Sequence, residues 1–252
     1  MNTAAGNRPC LSLKRACLST IATALLVTDA APASELDDGE FPLTAAVTIT
    51  TDYVFRGVSQ TLGGPAIQAS LDLPLENGFY GYVWGSNVDF RPADEPDDGA
   101  RSEINIAAGY VAELGNRWSL DISVVRYWFP GTDSAVDYDY NELISSVRFD
   151  DRLWATFGYS NAVDGTDAPS RFSEVGYRFT LPSKVTFEIA YGNYDLSKAY
   201  GSAYAYTKAT VARSFASAEL NLSYFETFGE ADQIFYEQAI HSRIVASLLV
   251  AF

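Results

Sequence analysis

Cysteine is nearly absent from this sequence, and both copies, Cys10 and Cys17, fall within its first 17 residues. If that stretch is removed, no disulfide framework is available. Histidine occurs once, as His241, next to Ser242. Neighbouring residues on a strand point to opposite faces, so these two cannot form a serine–histidine pair, and no other serine is nominated as a nucleophile. HExxH, the phosphate-binding GxxxxGK[ST] loop and the dinucleotide fingerprint are all missing, so the sequence offers no catalytic residue, cofactor site or metal site. Basic residues are scarce as well, 17 Lys and Arg against 32 Asp and Glu. Nucleic acid, which needs a basic surface, is therefore not expected as a partner. No segment approaches the ~20 consecutive apolar residues of a membrane-spanning helix, so any passage through a bilayer must use strands.

The N-terminus differs from the rest. Arg8, Lys14 and Arg15 precede an apolar run from Leu18 to Val27, and Ala31-Pro32-Ala33 then forms an A-x-A pattern. This tripartite order predicts a cleaved export signal over residues 1–33. A short acidic segment follows at 34–43, and the remaining 44–252 form one domain. Loss of the leader removes three basic residues and one acidic residue, moving the formal charge from −15 to −17.

From residue 44 onward the hydrophobic pattern has period two. Ala45, Val47, Ile49, Tyr53 and Phe55 alternate with Thr48, Thr50, Asp52 and Arg56. Ile67, Ala69, Leu71, Leu73 and Leu75 oppose Gln68, Ser70 and Asp72, and Tyr80, Tyr82, Trp84 and Val88 oppose Gly81, Gly85, Asn87 and Asp89. Later segments repeat the pattern, as in Val185, Phe187, Ile189 and Tyr191 against Thr186, Glu188 and Gly192. It weakens at Val124–Phe129, where a bulge is expected.

A soluble sandwich would also alternate; the loops separate the two readings. Tight turns at Glu76–Gly78, Gly115–Arg117, Asp150–Arg152, Pro182–Ser183 and Ala216–Ser217 lie 32 to 39 residues apart, and a longer polar loop falls within each interval. Short turns at one end and long loops at the other, joining strands of about ten residues, predict an all-β transmembrane barrel of about twelve antiparallel strands. Closing the sheet also pairs every backbone N–H and C=O, as hydrocarbon demands. The last segment carries Ile244, Ala246, Leu248, Val250 and Phe252 on one parity, a pattern resembling the C-terminal signal read by the barrel assembly machinery.

The run DYVFRGVSQ at Asp52–Gln60, the proline-led PAIQ, and the GFY and VWGSNVDF segments resemble the N-terminal signature of TorF-type porins, small bacterial outer-membrane barrels. The resemblance covers roughly residues 50–110, with a weaker echo in SEVGYRF at Ser173–Phe179. It implies an outer-membrane barrel with a pore role and supplies no catalytic or binding residues.

If the apolar parity faces lipid, the other parity lines the lumen. Its candidates are the acids Asp52, Asp72, Asp89, Glu103, Asp121, Glu142, Glu174, Glu188 and Glu219 and the bases Arg56, Arg148, Arg178, Lys208 and Arg243. Such charges must either line water or pair with one another. The first case gives a channel for small hydrophilic solutes or ions with a mild cation preference; the alternative is a structural or loop-binding barrel closed by salt bridges. Expected partners are outer-membrane lipid and lipopolysaccharide, the assembly machinery through the last strand ending at Phe252, and small solutes. The acidic loops, with Asp94, Glu95, Asp97 and Asp98 in one and Asp133, Asp137 and Asp139 in another, lack EF-hand spacing and read as solvated faces.

Overall fold

The computed structural model describes residues 43–91, 98–133 and 137–252. The expected leader and most of the acidic segment after it lie outside the described residues. Strands β1 (Thr44–Thr50), β2 (Val54–Phe55), β3 (Val58–Ser59), β4 (Ala66–Pro74), β5 (Phe79–Asn87), β6 (Ser102–Leu114) and β7 (Trp118–Trp128) come first. They are followed by β8 (Tyr140–Phe149), β9 (Leu153–Ser160), β10 (Ser170–Thr180), β11 (Val185–Leu196), β12 (Ser202–Ser214), β13 (Ala218–Gly229) and β14 (Arg243–Ala251). All except β2 and β3 join one closed antiparallel barrel of twelve strands, in which each strand pairs with its neighbour in sequence. β1 closes the ring by pairing with both β14 (Val47 opposite Val250) and β4 (Val47 opposite Ala69). Two one-turn helices, α1 (Ser197–Tyr200) and α2 (Glu237–Ile240), sit in the long loops.

The outer surface is apolar. Ile49, Ile67, Phe157, Ile189 and Ile244 are each about 60% exposed or more, which a water-facing surface would not tolerate in such density. Aromatic side chains gather near its two ends. Phe79 packs on Tyr110, Trp118 on Phe149 and Phe179 on Phe187 at the short-turn end, while Trp128, Tyr159 and Phe228 stand toward the long loops. An apolar band between aromatic girdles is the surface of a barrel made for hydrocarbon.

Three expectations about local structure need correction. The first strand ends at Thr50, and the chain then turns into the barrel, because the Thr50 hydroxyl donates to Asp52 O and Thr51 N–H donates to Ala246 O. Tyr53 is therefore buried inside, not on the outer face. In β5 the parity is reversed: Tyr82 and Trp84 point inward, while Gly81, Val83, Gly85 and Asn87 stand on the outer parity. No bulge interrupts β7, whose register with β6 and β8 runs unbroken from Trp118. Its pattern looked poor because Val125 and Tyr127 are apolar and inward, packing into an aromatic core that fills part of the lumen.

Glycine explains how a barrel this narrow holds inward aromatics. Tyr80 lies opposite Gly109, Trp154 opposite Gly176 and Tyr206 opposite Gly192 on the adjacent strands. A Cβ at those glycines would lie 2.3, 2.0 and 2.4 Å from the facing ring, so each ring lies over a bare stretch of backbone.

Candidate functional site

The site is the lumen, and its long-loop half is occupied by the chain itself. Residues 51–65 fold inward from the end of β1 as a hairpin made of β2 and β3. Its turn, Arg56-Gly57, has φ of 49° and 83°, the double positive φ of a type I′ hairpin. Glycine suits that conformation and is needed there, since a Cβ on Gly57 would lie 2.5 Å from Tyr206 Cβ. Arginine suits it poorly.

One carboxylate organises the base of the hairpin. Ser59 and Thr61 hydroxyls donate to Asp52 Oδ1 at 2.6 and 2.9 Å, and Arg243 Nη1 from β14 donates to Oδ2. The hairpin is sewn to the wall elsewhere as well: Thr227 Oγ1 donates to Gly57 O at 2.7 Å, and Tyr53 OH donates to Glu103 at 3.0 Å. At the tip, Arg56 Nη2 donates to Glu142 on β8 at 2.6 Å.

The short-turn half is lined by charge. Arg178 and Lys208 both donate to Glu188, at 2.8 and 2.9 Å, across β10, β11 and β12. Tyr80 OH donates to Asp121, and the Ser214 hydroxyl donates to Glu219. Higher up, Glu174 accepts from Trp154 Nε1 at 3.1 Å and Tyr206 OH at 2.6 Å. Arg148 Nε, Glu219 Oε1 and Asn221 Oδ1 are buried without a partner among the described residues, and buried polar atoms of this kind call for water. Below the hairpin a cavity of about 40 Å³ lies among Thr48, Gln68, Lys208, Thr210, Asn221 and Ser223.

Of the candidates read from parity, Glu103, Asp121, Glu142, Arg148, Glu174, Arg178, Glu188, Lys208, Glu219 and Arg243 stand on the inward faces of their strands, as does the partly buried Asp72. Asp52 and Arg56 are inside too, but on the hairpin and not on a wall strand. Asp89 is a correction: β5 ends at Asn87, and Asp89 is exposed beyond it, with its N–H donating to Gln60 O. The last strand begins at Arg243, since Glu237–Ile240 is helical, and His241 lies outside it, exposed, with Nε2 3.2 Å from Glu237. Parity missed the inward aromatics Tyr53, Tyr82, Trp84, Tyr127, Phe172, Tyr194 and Tyr206; the signal for three of the inward rings was a glycine directly across the sheet.

The long loops carry their own order. Asp98 accepts from Arg91 Nε at 3.2 Å and Tyr138 OH at 2.8 Å, and Asp139 accepts from Arg126 at 2.6 Å. Asp164, between β9 and β10, accepts from Tyr200 OH at 3.1 Å. Burial pushes its carboxyl up to about 6, against the opposing pull of the Tyr200 hydrogen bond and the Arg56 charge.

Residues 34–250 match the model of a family described as bacterial proteins of unknown function, Gcw_chp. The chain belongs to the Gcw_chp family. No curated protein matches it. Among solved structures, the NanC porin aligns with a TM-score of 0.55 at 8% identity, over 83% of this chain and 98% of that one. The KdgM porin aligns with a TM-score of 0.51 at 9% identity, over 83% of this chain and 99% of that one. At such identities the likeness is one of fold, a small porin-type barrel, and it is not specific to the TorF type. For this Gcw_chp protein the family assignment brings no function, so function has to be argued from the lumen.

Proposed function

We propose that this protein is an outer-membrane channel of the porin class, passing small hydrophilic solutes or ions passively with a mild preference for cations. The observation that carries the reading is the pairing of an apolar, aromatic-girdled exterior with a charged lumen whose unpartnered atoms demand water. A closed barrel pairs its wall backbone internally, as hydrocarbon demands, and an exterior this apolar fits a lipid surface. The short turns would face the periplasm and the long loops the outside. The TorF-type resemblance of residues 50–110 and the porin fold support the same assignment.

Cation preference follows from the count of inward charges. Asp52, Asp72, Glu103, Asp121, Glu142, Glu174, Glu188 and Glu219 outnumber Arg56, Arg148, Arg178, Lys208 and Arg243. In a low-dielectric tube that excess raises the local concentration of cations. Recognition of β14 by the assembly machinery belongs to the same reading, since Ile244 and Leu248 stand exposed on its outer face. Lipid and lipopolysaccharide are the partners the exterior fits.

A second reading is favoured by a specific observation. With the hairpin seated, Arg56 is 3% exposed and the cavity beneath is small, as in a barrel that is structural and closed. Planar-bilayer conductance of the refolded chain separates the two. Discrete steps with a cation-favouring reversal potential support the channel, and silence from folded protein supports the closed barrel.

A further inference from the structure

The seat of Arg56 is built as a cation cage, and most of it belongs to the barrel wall. Glu142 from β8 supplies the carboxylate, and its side chain is fully buried. Tyr127 from β7 donates its hydroxyl to Glu142 Oε2 at 3.2 Å and is itself stacked on Tyr140 at 4.3 Å between centroids. Phe172 from β10 and Tyr194 from β11 place their rings 3.9 and 4.7 Å from the guanidinium carbon. Gly158 makes room for the carboxylate, because a Cβ there would lie 2.7 Å from Glu142 Oε1. Aromatic faces with a carboxylate at one end form the standard environment for an organic cation.

The occupant, by contrast, arrives on a hairpin and in a strained conformation. Arg56 holds φ at 49°, a left-handed conformation that strains a non-glycine residue. A plug with no other duty would do as well with an apolar tip, since well-packed hydrophobic groups commonly match or exceed a buried ion pair in stability. The pairing is also incomplete: Arg56 Nη1 and Glu142 Oε1 are both buried without a partner among the described residues. Unused capacity on both sides marks a contact that can be exchanged for another cation.

We infer that Glu142, Tyr127, Phe172 and Tyr194 form a binding site for an alkylguanidinium or similar organic cation, of which Arg56 is the tethered occupant. A free guanidinium entering the lumen takes over the Glu142 carboxylate and the two ring faces, and the hairpin tip is released. Because the tether holds Arg56 at an effective concentration on the order of millimolar or above, a competitor acts in the millimolar range or higher on the intact chain and at lower concentration once Arg56 is removed. The channel reading enters in one respect only, as the route by which a solute would reach the site.

The test uses the full refolded chain in detergent, with methylguanidinium as the probe. Arg56→Ala vacates the cage, so methylguanidinium should raise its melting temperature saturably, while sodium at the same ionic strength does not. The double variant Arg56→Ala/Glu142→Gln should lose that response. An Arg56→Ala protein that gains no more from methylguanidinium than from sodium overturns the site. Should Arg56→Ala fail to fold, the wild-type chain is titrated and exchange of the Gln60 amide, which donates to Tyr53 O, is followed. Displacement of the hairpin should accelerate that exchange about tenfold or more, and an unchanged rate across the titration overturns the inference. Binding by Arg56→Ala in a barrel that never conducts would remove the channel reading and leave the site standing.

Discussion

The Arg243 guanidinium, on the last strand, donates to Asp52 at the root of the inward hairpin, on a carboxylate that also receives the hydroxyls of Ser59 and Thr61. Asp52 thereby fastens the root of the hairpin to the last strand inside the barrel. Asp52→Ala removes the ionic partner of the part-buried Arg243, which keeps its bonds to His241 O and Gln238 O, a loss of about 1.5–3 kcal/mol. The expected result is faster amide exchange at Gln60, with little change at wall amides of β11 and β12. Equal protection of the hairpin in both proteins would show that the ion pair does not hold it.

Trp154 and Gly176 make a second close contact, a ring over a backbone with no side chain between them. A Cβ at residue 176 would sit 2.0 Å from Trp154 Cζ2. Gly176→Ala should therefore cost about 1–3 kcal/mol through overpacking. In a Trp154→Ala background the same change should cost close to nothing. A double-mutant cycle on unfolding free energies measures the difference, and additive effects would contradict the contact.

Asp164 gives the loops a pH dependence with a definite sign. Its folded pKa is raised from 3.8 to about 6, so between those values the folded state binds more protons than the unfolded state. Stability from this residue therefore falls as pH rises from about 4 to about 6 and is flat above that window. Asp164→Asn should abolish this component, which is read as the difference between wild-type and variant melting temperatures at pH 4 and pH 7. A difference that does not change with pH would contradict the assignment.

Lumen carboxylates divide into those with a cationic partner and those without. Glu188 is shared by Arg178 and Lys208, whereas Glu219 accepts from the Ser214 hydroxyl and leaves one oxygen unpartnered. Glu188→Gln strands two bases and should cost about 3–5 kcal/mol; Glu219→Gln should cost much less. Either change, like Asp72→Lys, should move the reversal potential in a salt gradient away from cation preference. Glu103→Lys has a different outcome, because Glu103 accepts from Tyr53 and its reversal would also loosen the hairpin.

Much of the wall was legible because period two needs only local sequence. In β6, β8, β11 and β13, outward apolar residues leave Glu103, Glu142, Glu188 and Glu219 on the opposite face, and that is where the structure has them. The hairpin was not legible because Tyr53 and Phe55 continue the parity of Val47 and Ile49 past the point where the chain leaves the wall. The hint was Arg56-Gly57, a turn pair in the middle of an apparent strand. β5 was read inside out for a related reason. Tyr82 and Trp84 point inward opposite Ala107 and Asn105, into the aromatic core of the lumen, and hydrophobicity alone could not say so. The cage around Arg56 gathers residues from four wall strands and one hairpin, and no spacing within any one of them announces it.

Single-channel recording of the refolded chain in a planar bilayer under a salt gradient decides whether this barrel is the conduit proposed. A conduit with this lumen should give small discrete conductance steps with a reversal potential on the cation side. A bilayer that stays silent, with protein shown to be folded and inserted, would contradict it.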